Sequence, residues 1–122
     1  MKSTRQSLGR WGEAYARNFL LERGYRLIAQ NVRTPYGEID LVVAAADDLL
    51  VFVEVKTRRS SEYGLPEGSI TSKKREHLLA AVEAYLQSHP EFIGDCRLDV
   101  IAIRRKPGAD LPEIVHFENA IS

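Results

Sequence analysis

Two segments near the middle of the chain carry an apolar residue at every second position. The first covers residues 38–43 and the second covers residues 51–56. Because successive side chains of a strand point to opposite faces, this spacing places the apolar residues of each segment on one face. They are Ile39, Leu41 and Val43 in the first segment, and Val51, Val53 and Val55 in the second. The pattern predicts two strands of a hairpin whose shared apolar face belongs to the core.

The length of the loop between these strands decides which residues face each other. A three-residue loop at 46–48 keeps both apolar sets on one face, with the pairs Ile39–Val55, Leu41–Val53 and Val43–Val51. This register sets Asp40 opposite Glu54, where two carboxylates repel each other. A slip by one residue would separate the acids but would turn one apolar set away from the core. We therefore expect a local conflict of the kind found at functional sites, relieved by a divalent cation and by Lys56 on the same face.

Apolar residues spaced three and four apart predict two helices. The first spans residues 4–23, and Gly24 stands where a glycine commonly ends a helix. The second spans residues 71–88, with Thr71 or Ser72 as its N-cap, and ends at His89–Pro90. The expected buried stripes are Leu8, Trp11, Tyr15, Phe19 and Leu20 in the first helix, and Leu78, Val82, Tyr85 and Leu86 in the second. We expect His77 and His89 to be exposed.

Three further strands are predicted at residues 25–32, 97–103 and 114–117, the last of them at a sheet edge. We expect Tyr25, Leu27 and Ala29 to share one face of the first, a turn at residues 33–37, and a glycine- and proline-containing loop at residues 60–69. The order is helix, three strands, helix, two strands. It predicts an α/β fold in which a mixed central sheet starts as an antiparallel meander and a crossover helix leads to the fourth strand.

The composition restricts the class of protein. A chain of 122 residues is long enough for a single domain with its own core, which we place at residues 1–122. No apolar run approaches the roughly 20 residues that span a bilayer. The first residues form no hydrophobic signal region, so we expect a cytoplasmic protein without membrane contact. The single cysteine, Cys96, excludes an internal disulfide and a cysteine-rich zinc site, and we expect it to be buried.

The charges are unevenly distributed although the formal net charge is zero. Residues 37–54 contain acidic but no basic side chains, whereas basic residues outnumber acidic ones in residues 1–36 and 55–75. This arrangement suits a metal site inside a phosphate-binding groove, although the basic residues also fit ordinary solvated faces. The first turn of the second helix carries Lys73, Lys74 and Arg75. A helix N-terminus with such residues attracts phosphate, and a merely suboptimal surface is the alternative.

The candidate acids form a motif that resembles that of a known nuclease superfamily. Asp40 is followed after thirteen residues by Glu54-Val55-Lys56, which resembles the PD-(D/E)xK nucleases and their restriction endonuclease-like core. Other stretches resemble the YraN family of uncharacterised bacterial proteins, which is likened to Holliday junction resolvases. They are Leu8-Gly9-Arg10-Trp11-Gly12-Glu13, Gly24-Tyr25, Asn31-Val32-Arg33, Gly37 to Leu41 and Val51 to Arg58, with a weaker match at Arg97-Leu98-Asp99-Val100.

This resemblance implies roles for individual residues. Asp40 and Glu54 would bind Mg²⁺ or Mn²⁺, and Lys56 would position the attacking water and stabilise charge on the phosphate. Glu13 would join the metal site, although a solvated helical acid is equally compatible with its position. Mg²⁺ takes oxygen ligands and keeps several waters, so two or three carboxylates suffice to hold it.

Two positions depart from the superfamily pattern. Ile39 stands where a proline usually precedes the first acid. Arg75 stands where many relatives carry glutamine, which leaves open the role of Arg75 around the metal ligands. Lys74 matches a basic position at the start of the later helix. The residues expected to contact nucleic acid are Arg33, Arg58, Lys73, Lys74 and Arg75.

The sequence thus predicts a metal-dependent endonuclease that acts on nucleic acid, DNA in particular, and on branched or damaged forms of it. A homodimer is compatible with this prediction, because symmetric junctions suit two-fold enzymes. One alternative is a non-cutting module that holds nucleic acid or a protein partner, which the zero net charge favours. Another is a structural domain whose acids are merely solvated.

Overall fold

A mixed sheet with one helix on each face forms the fold in the computed structural model, which describes residues 4–46, 48–59, 71–106 and 108–119. The elements in chain order are α1 (Thr4–Glu22), β1 (Arg26–Thr34), β2 (Gly37–Ala45), β3 (Leu49–Arg59), α2 (Ser72–Ser88), β4 (Cys96–Arg105) and β5 (Glu113–Phe117). The strands lie side by side in the order β1-β2-β3-β4-β5. Strands β3 and β4 are parallel and the other neighbours are antiparallel. This confirms the predicted α/β fold, in which α2 is the crossover helix and β5 an edge strand.

The sheet separates two hydrophobic clusters. The cluster on the α1 side contains the fully buried Leu20 together with Leu41, Val43, Val51, Val53, Ile101 and Ile103 of the strands. The cluster on the α2 side contains Leu78, Val82 and Tyr85 of the helix, packed on Ile39, Val42, Leu50, Phe52, Leu98 and Val100. Strands β3 and β4 therefore bury both faces, which explains why they read as nearly continuous apolar runs.

The helix ends agree with the predicted signals. Gly24 has φ 92° and donates its N–H to the Leu21 carbonyl, while the Tyr25 N–H bonds to the carbonyl of Leu20. These two bonds close the last turn of α1 as a Schellman motif, which needs a left-handed residue. At the start of α2, the Thr71 hydroxyl accepts the Lys74 N–H at 3.1 Å, so Thr71 is the N-cap.

The predicted register of the β2–β3 hairpin is confirmed over its central part. Leu41 pairs with Val53, and Ala45 pairs with Leu49, so that three residues form the turn. Asp48 ends this turn with φ 63°, the left-handed residue that three-residue hairpin loops contain.

The predicted faces of β1 and β2 are wrong at Ile39 and Ala29. Ile39 packs on the α2 side with Val42, whereas Leu41 between them packs on the α1 side. A bulge between Leu27 and Ala29 likewise turns Ala29 to the α2 side. The regular alternation fails because both strands depart from ideal strand geometry.

Three smaller predictions also have outcomes. Cys96 is exposed at the start of β4, not buried. His89 is half-buried because it stacks on Tyr85, with ring centroids 4.0 Å apart, whereas His77 is exposed as predicted. The predicted loop at 60–69 lies outside the described residues.

Neither described helix is long and apolar enough to cross a membrane.

Candidate metal centre

Asp40 lies where the pairing of β2 with β3 ends. The last paired residues are Leu41 and Val53. Beyond them, the Val55 N–H donates to Asp40 Oδ2 at 2.8 Å. The Asp40 carboxylate thus takes the place of a backbone acceptor and is held between the two strands. The predicted pair of Ile39 with Val55 does not form.

Helix α1 brings a second carboxylate to this point. A Cβ atom added to Gly12 would overlap the Thr57 side chain on β3, so only a glycine permits this approach of helix and strand. The next residue, Glu13, reaches Asp40. Glu13, Glu38 and Asp40 each offer one carboxylate oxygen, and these three oxygens lie within 4.8 Å of one another. We call these three residues the acidic triad.

Asn31 of β1 connects two members of the acidic triad. Its side-chain Nδ2 donates to Glu13 Oε1 at 2.9 Å and to Glu38 Oε1 at 3.3 Å. Asn31 has φ 51°, a left-handed conformation inside a strand. The pairs Gln30–Leu41 and Val32–Ile39 flank it, so Asn31 lies opposite Asp40.

Glu54 approaches Asp40 from the α2 side of the sheet. It is only 4% exposed. Its Oε2 atom lies 3.5 Å from Lys56 Nζ and 3.4 Å from Lys74 Nζ. Lys74 belongs to the first turn of α2, so that turn lies within reach of a lysine side chain from Glu54. Two cations therefore compensate Glu54, while Asp40 has none beside it among the ion pairs of the described residues.

The environment raises the pKa of Asp40 to about 8. Burial is the largest cause, and the negative charge of Glu54 is the second. The Val55 N–H lowers the pKa, but Glu13 raises it further. A carboxyl group with such neighbours holds its proton at neutral pH until a cation enters.

The structure brings together Asp40, Glu54, Lys56 and Glu13, the four residues predicted to form the centre, although their roles remain predictions. Sequence reasoning missed Glu38 and Asn31. The alternation of β2 offered a signal for Glu38, since it lies two residues before Asp40.

The predicted nucleic acid contacts lie around this centre. The Arg33 side chain is 90% exposed and points its Nε atom to Glu38 Oε2 at 4.0 Å. Lys56, Arg58 and Arg104 line one shallow depression. Lys73 and Arg75 are exposed on the first turn of α2.

A second buried carboxylate lies on the α1 side of β4. Asp99 is fully buried and accepts two hydrogen bonds from Arg97 at 2.9 Å. His116 Nε2 lies 2.7 Å from its Oδ2 atom, and the Asn119 N–H donates to its Oδ1 atom at 2.9 Å. Burial alone would raise the pKa of Asp99, but the hydrogen bonds from His116 and Arg97 outweigh it and lower the pKa. Arg97 also donates to the Tyr25 hydroxyl at 2.9 Å. We call this group the Asp99 network.

Fold and site together define an α/β protein with a candidate cation site between β2, β3 and α1. The chain belongs to the uncharacterised protein family UPF0102, which it matches over residues 12–103. It is 43% identical to a UPF0102 protein of Syntrophomonas wolfei over 115 residues, 94% of this chain and 97% of the relative. It is 42% identical to a UPF0102 protein of Herpetosiphon aurantiacus over 122 residues, 97% and 96% of the two chains. The matched region contains the acidic triad, Asn31, Glu54 and Lys56, and the membership confirms the YraN-like resemblance.

Proposed function

We propose that this protein is a Mg²⁺- or Mn²⁺-dependent endonuclease that hydrolyses phosphodiester bonds in DNA, on a fold of the restriction endonuclease-like type. One observation carries the proposal. Asp40 is partly buried among Glu13, Glu38 and Glu54, and its pKa is raised by burial and by Glu54. Such a group of acids is unfavourable without a cation, so it supports a metal site.

The chemistry of the donors fits a hard cation. The acidic triad offers carboxylate oxygens and neither imidazole nor thiolate, which favours Mg²⁺ or Mn²⁺ over zinc. Glu13, Glu38 and Asp40 would hold the ion, with Glu54 beside Asp40. The ion would acidify a water molecule and neutralise charge on the phosphate.

The side chains around the acids would bind and orient the substrate. Lys56 lies at the border of the site and can donate to a phosphate oxygen whose charge grows during the reaction. Lys74 and the N-terminus of α2 add positive potential on the same side. Arg58 and Arg104 in the neighbouring depression would contact the phosphate backbone.

The preference for branched or damaged DNA rests on the resemblance to junction resolvases. A two-fold junction would be cut in both strands by a homodimer. A panel of branched, nicked and linear DNA substrates tests the preference for branched or damaged DNA.

A second candidate function is a module that holds nucleic acid or a partner without cutting. The observation that favours it is the double pairing of Glu54 with Lys56 and Lys74. These contacts already neutralise the charge of Glu54 and reduce its attraction for a cation.

Calorimetric titration with Mn²⁺ tests the metal site without a guess at the substrate. We expect wild type to bind, and we expect Asp40→Asn and Glu54→Gln to bind at least about tenfold more weakly, because each replaces a carboxyl group that can be ionised beside the metal with a neutral amide. Glu83→Gln, an exposed acid on α2, is the matched control and should bind like wild type. Failure of the wild type to bind Mn²⁺ at millimolar concentrations would contradict the metal site.

Cleavage assays then separate the two candidate functions. A four-way junction, a nicked duplex and a linear duplex are incubated with protein and Mg²⁺. We expect Lys56→Ala to lower the cleavage rate about 10²- to 10³-fold while Mn²⁺ binding persists. Lys106→Ala, which removes a lysine paired with Glu113, is the control. Metal binding without cleavage of any substrate would favour the non-cutting module.

A further inference from the structure

We propose that Asn31 is a positioning residue of the metal centre, acting through Glu13 and Glu38. This inference rests on the proposed function, because it concerns the same cation site. Nδ2 of Asn31 donates to one oxygen of each of these carboxylates, at 2.9 and 3.3 Å. Asn31 thereby holds an acid from α1 and an acid from β2 at one place, beside Asp40.

The need for such a residue follows from charge. Glu13 and Glu38 are negatively charged groups on separate elements, and both lie near Asp40. Like charges at this distance repel each other. A neutral amide donates hydrogen bonds to both carboxylates. Unlike a lysine or arginine, it brings no positive charge that would compete with the metal ion. The carboxylates therefore stay in place before the metal binds, which lowers the cost of forming the site.

The backbone of Asn31 supports this role. A left-handed residue inside a strand is uncommon, and asparagine accepts it better than other residues with a side chain. Ala29 and Val32, which lie on either side of this distorted segment, both pack on the α2 side. In a regular strand, residues three positions apart would point to opposite faces. The side chain of Asn31 instead reaches Glu13 on the α1 side. The strand distortion thus serves to direct one amide into the acidic triad.

The test compares glycine substitutions at two left-handed asparagines. Asn31→Gly removes the amide and keeps the backbone conformation, because glycine adopts positive φ without strain. Asn119→Gly makes the same change at φ 53°, beside the Asp99 network. We expect Asn31→Gly to weaken Mn²⁺ binding about tenfold, whereas Asn119→Gly binds like wild type. Unchanged Mn²⁺ binding in Asn31→Gly overturns the inference but leaves the proposed function standing. Absence of Mn²⁺ binding in wild type overturns the proposed function itself.

A double-mutant cycle distinguishes positioning from a general structural effect. If Asn31 acts through the acidic triad, Asn31→Gly should have a smaller effect on Mn²⁺ affinity in a Glu13→Gln background than in wild type. An effect of the same size in both backgrounds would show that Asn31 does not act through Glu13, and so would overturn that part of the inference.

Thermal unfolding in EDTA shows whether Asn31→Gly folds. If it does not fold, a measurement on the wild-type protein still tests the inference. Nuclear magnetic resonance follows the side-chain amide of Asn31 during titration with Mg²⁺. We expect its signals to shift with the same midpoint as the backbone signal of Asp40. Saturation of the Asp40 signal without any shift of the Asn31 side chain would contradict the inference.

Discussion

The protein contains two buried or partly buried aspartates with opposite surroundings. Asp99 is enclosed by donors, with Arg97, His116 and a backbone N–H around its two oxygens. Asp40 has one backbone donor and is otherwise surrounded by acids. Accordingly, the pKa of Asp99 is lowered and that of Asp40 is raised.

The two aspartates differ in the neighbours that compensate their charge. The Asp99 network joins β4, β5 and the end of α1, and the protein itself supplies the compensating charges. The acidic triad has a single cation among the ion pairs of the described residues, the exposed Arg33 at 4.0 Å from Glu38, so most of its negative charge is left for a bound cation to compensate under the proposed function. Burial alone does not distinguish the two cases, whereas the sign of the pKa shift and the identity of the neighbours do.

The largest effect is expected from Asp99→Asn. This substitution removes the fully buried charge that Arg97 and His116 face, although Glu118 Oε1 still lies 3.1 Å from Arg97 Nη1, and we expect it to lower the free energy of unfolding by about 3 to 5 kcal/mol. Urea denaturation at pH 7 measures the loss. Asp110→Asn, at an exposed position, is the control. A loss below about 1 kcal/mol would mean that solvent screens the network and would break the comparison.

A smaller effect is expected from Gly12→Ala. The new methyl group would overlap Thr57, so α1 must shift from β3, which we expect to lower the free energy of unfolding by about 1 to 3 kcal/mol. The shift also moves Glu13 away from Asp40 and should weaken Mn²⁺ binding. Gly9→Ala is the matched control, because nothing lies within 4 Å of its added Cβ. It should be neutral or stabilise α1 by up to about 1 kcal/mol. Equal behaviour of the two variants in urea denaturation and calorimetry would contradict the close approach.

The smallest expected change in the free energy of unfolding comes from Asp40→Asn and has the opposite sign, because this variant should be more stable than wild type. The pKa of Asp40 is higher in the folded protein than in the unfolded chain, so its stabilising contribution is complete below about pH 4 and is lost as the pH rises through about 8. Asp40→Asn removes this loss and keeps an oxygen that can accept the Val55 N–H. We expect the variant to be more stable than wild type by about 1 to 2 kcal/mol at pH 7.5 in EDTA.

Saturating Mn²⁺ should reverse that order, because a ligand at a hundred times its Kd stabilises the protein that binds it by about 2.7 kcal/mol. Urea denaturation with EDTA and with Mn²⁺, at pH 5 and 7.5, measures both effects. If wild type is more stable than Asp40→Asn in EDTA at pH 7.5, the acids are compensated without a metal and the prediction is wrong.

Much of the fold could be predicted from local patterns. The spacing of apolar residues predicted both helices and the strands, since burial of one face imposes a period on the sequence. Thr71 and Gly24 predicted helix ends, because each satisfies backbone groups that a helix leaves unpaired. The three-residue turn and the Leu41–Val53 pair followed from the core face alone.

The candidate site could be predicted only in part. The register indicated that Asp40 and Glu54 approach each other with Lys56 on the same face, and the resemblance added Glu13. Asn31 and Glu38 were missed, because their relation to Glu13 joins residues 18 and 25 positions apart on different elements. The roles assigned to all of these residues stay predictions until metal binding is measured.

The sequence by itself determined the elements, their order and the central register, since these depend on periodicity and on residues that begin or end helices. Only the tertiary structure decided how the strands depart from that period. Ile39 turns to the α2 side next to Asp40, and the left-handed Asn31 lies opposite Asp40 on the neighbouring strand. The same structure surrounded Asp99 with donors and Asp40 with acids. Charge compensation depends on distances between elements, and no local pattern in a single chain records those distances.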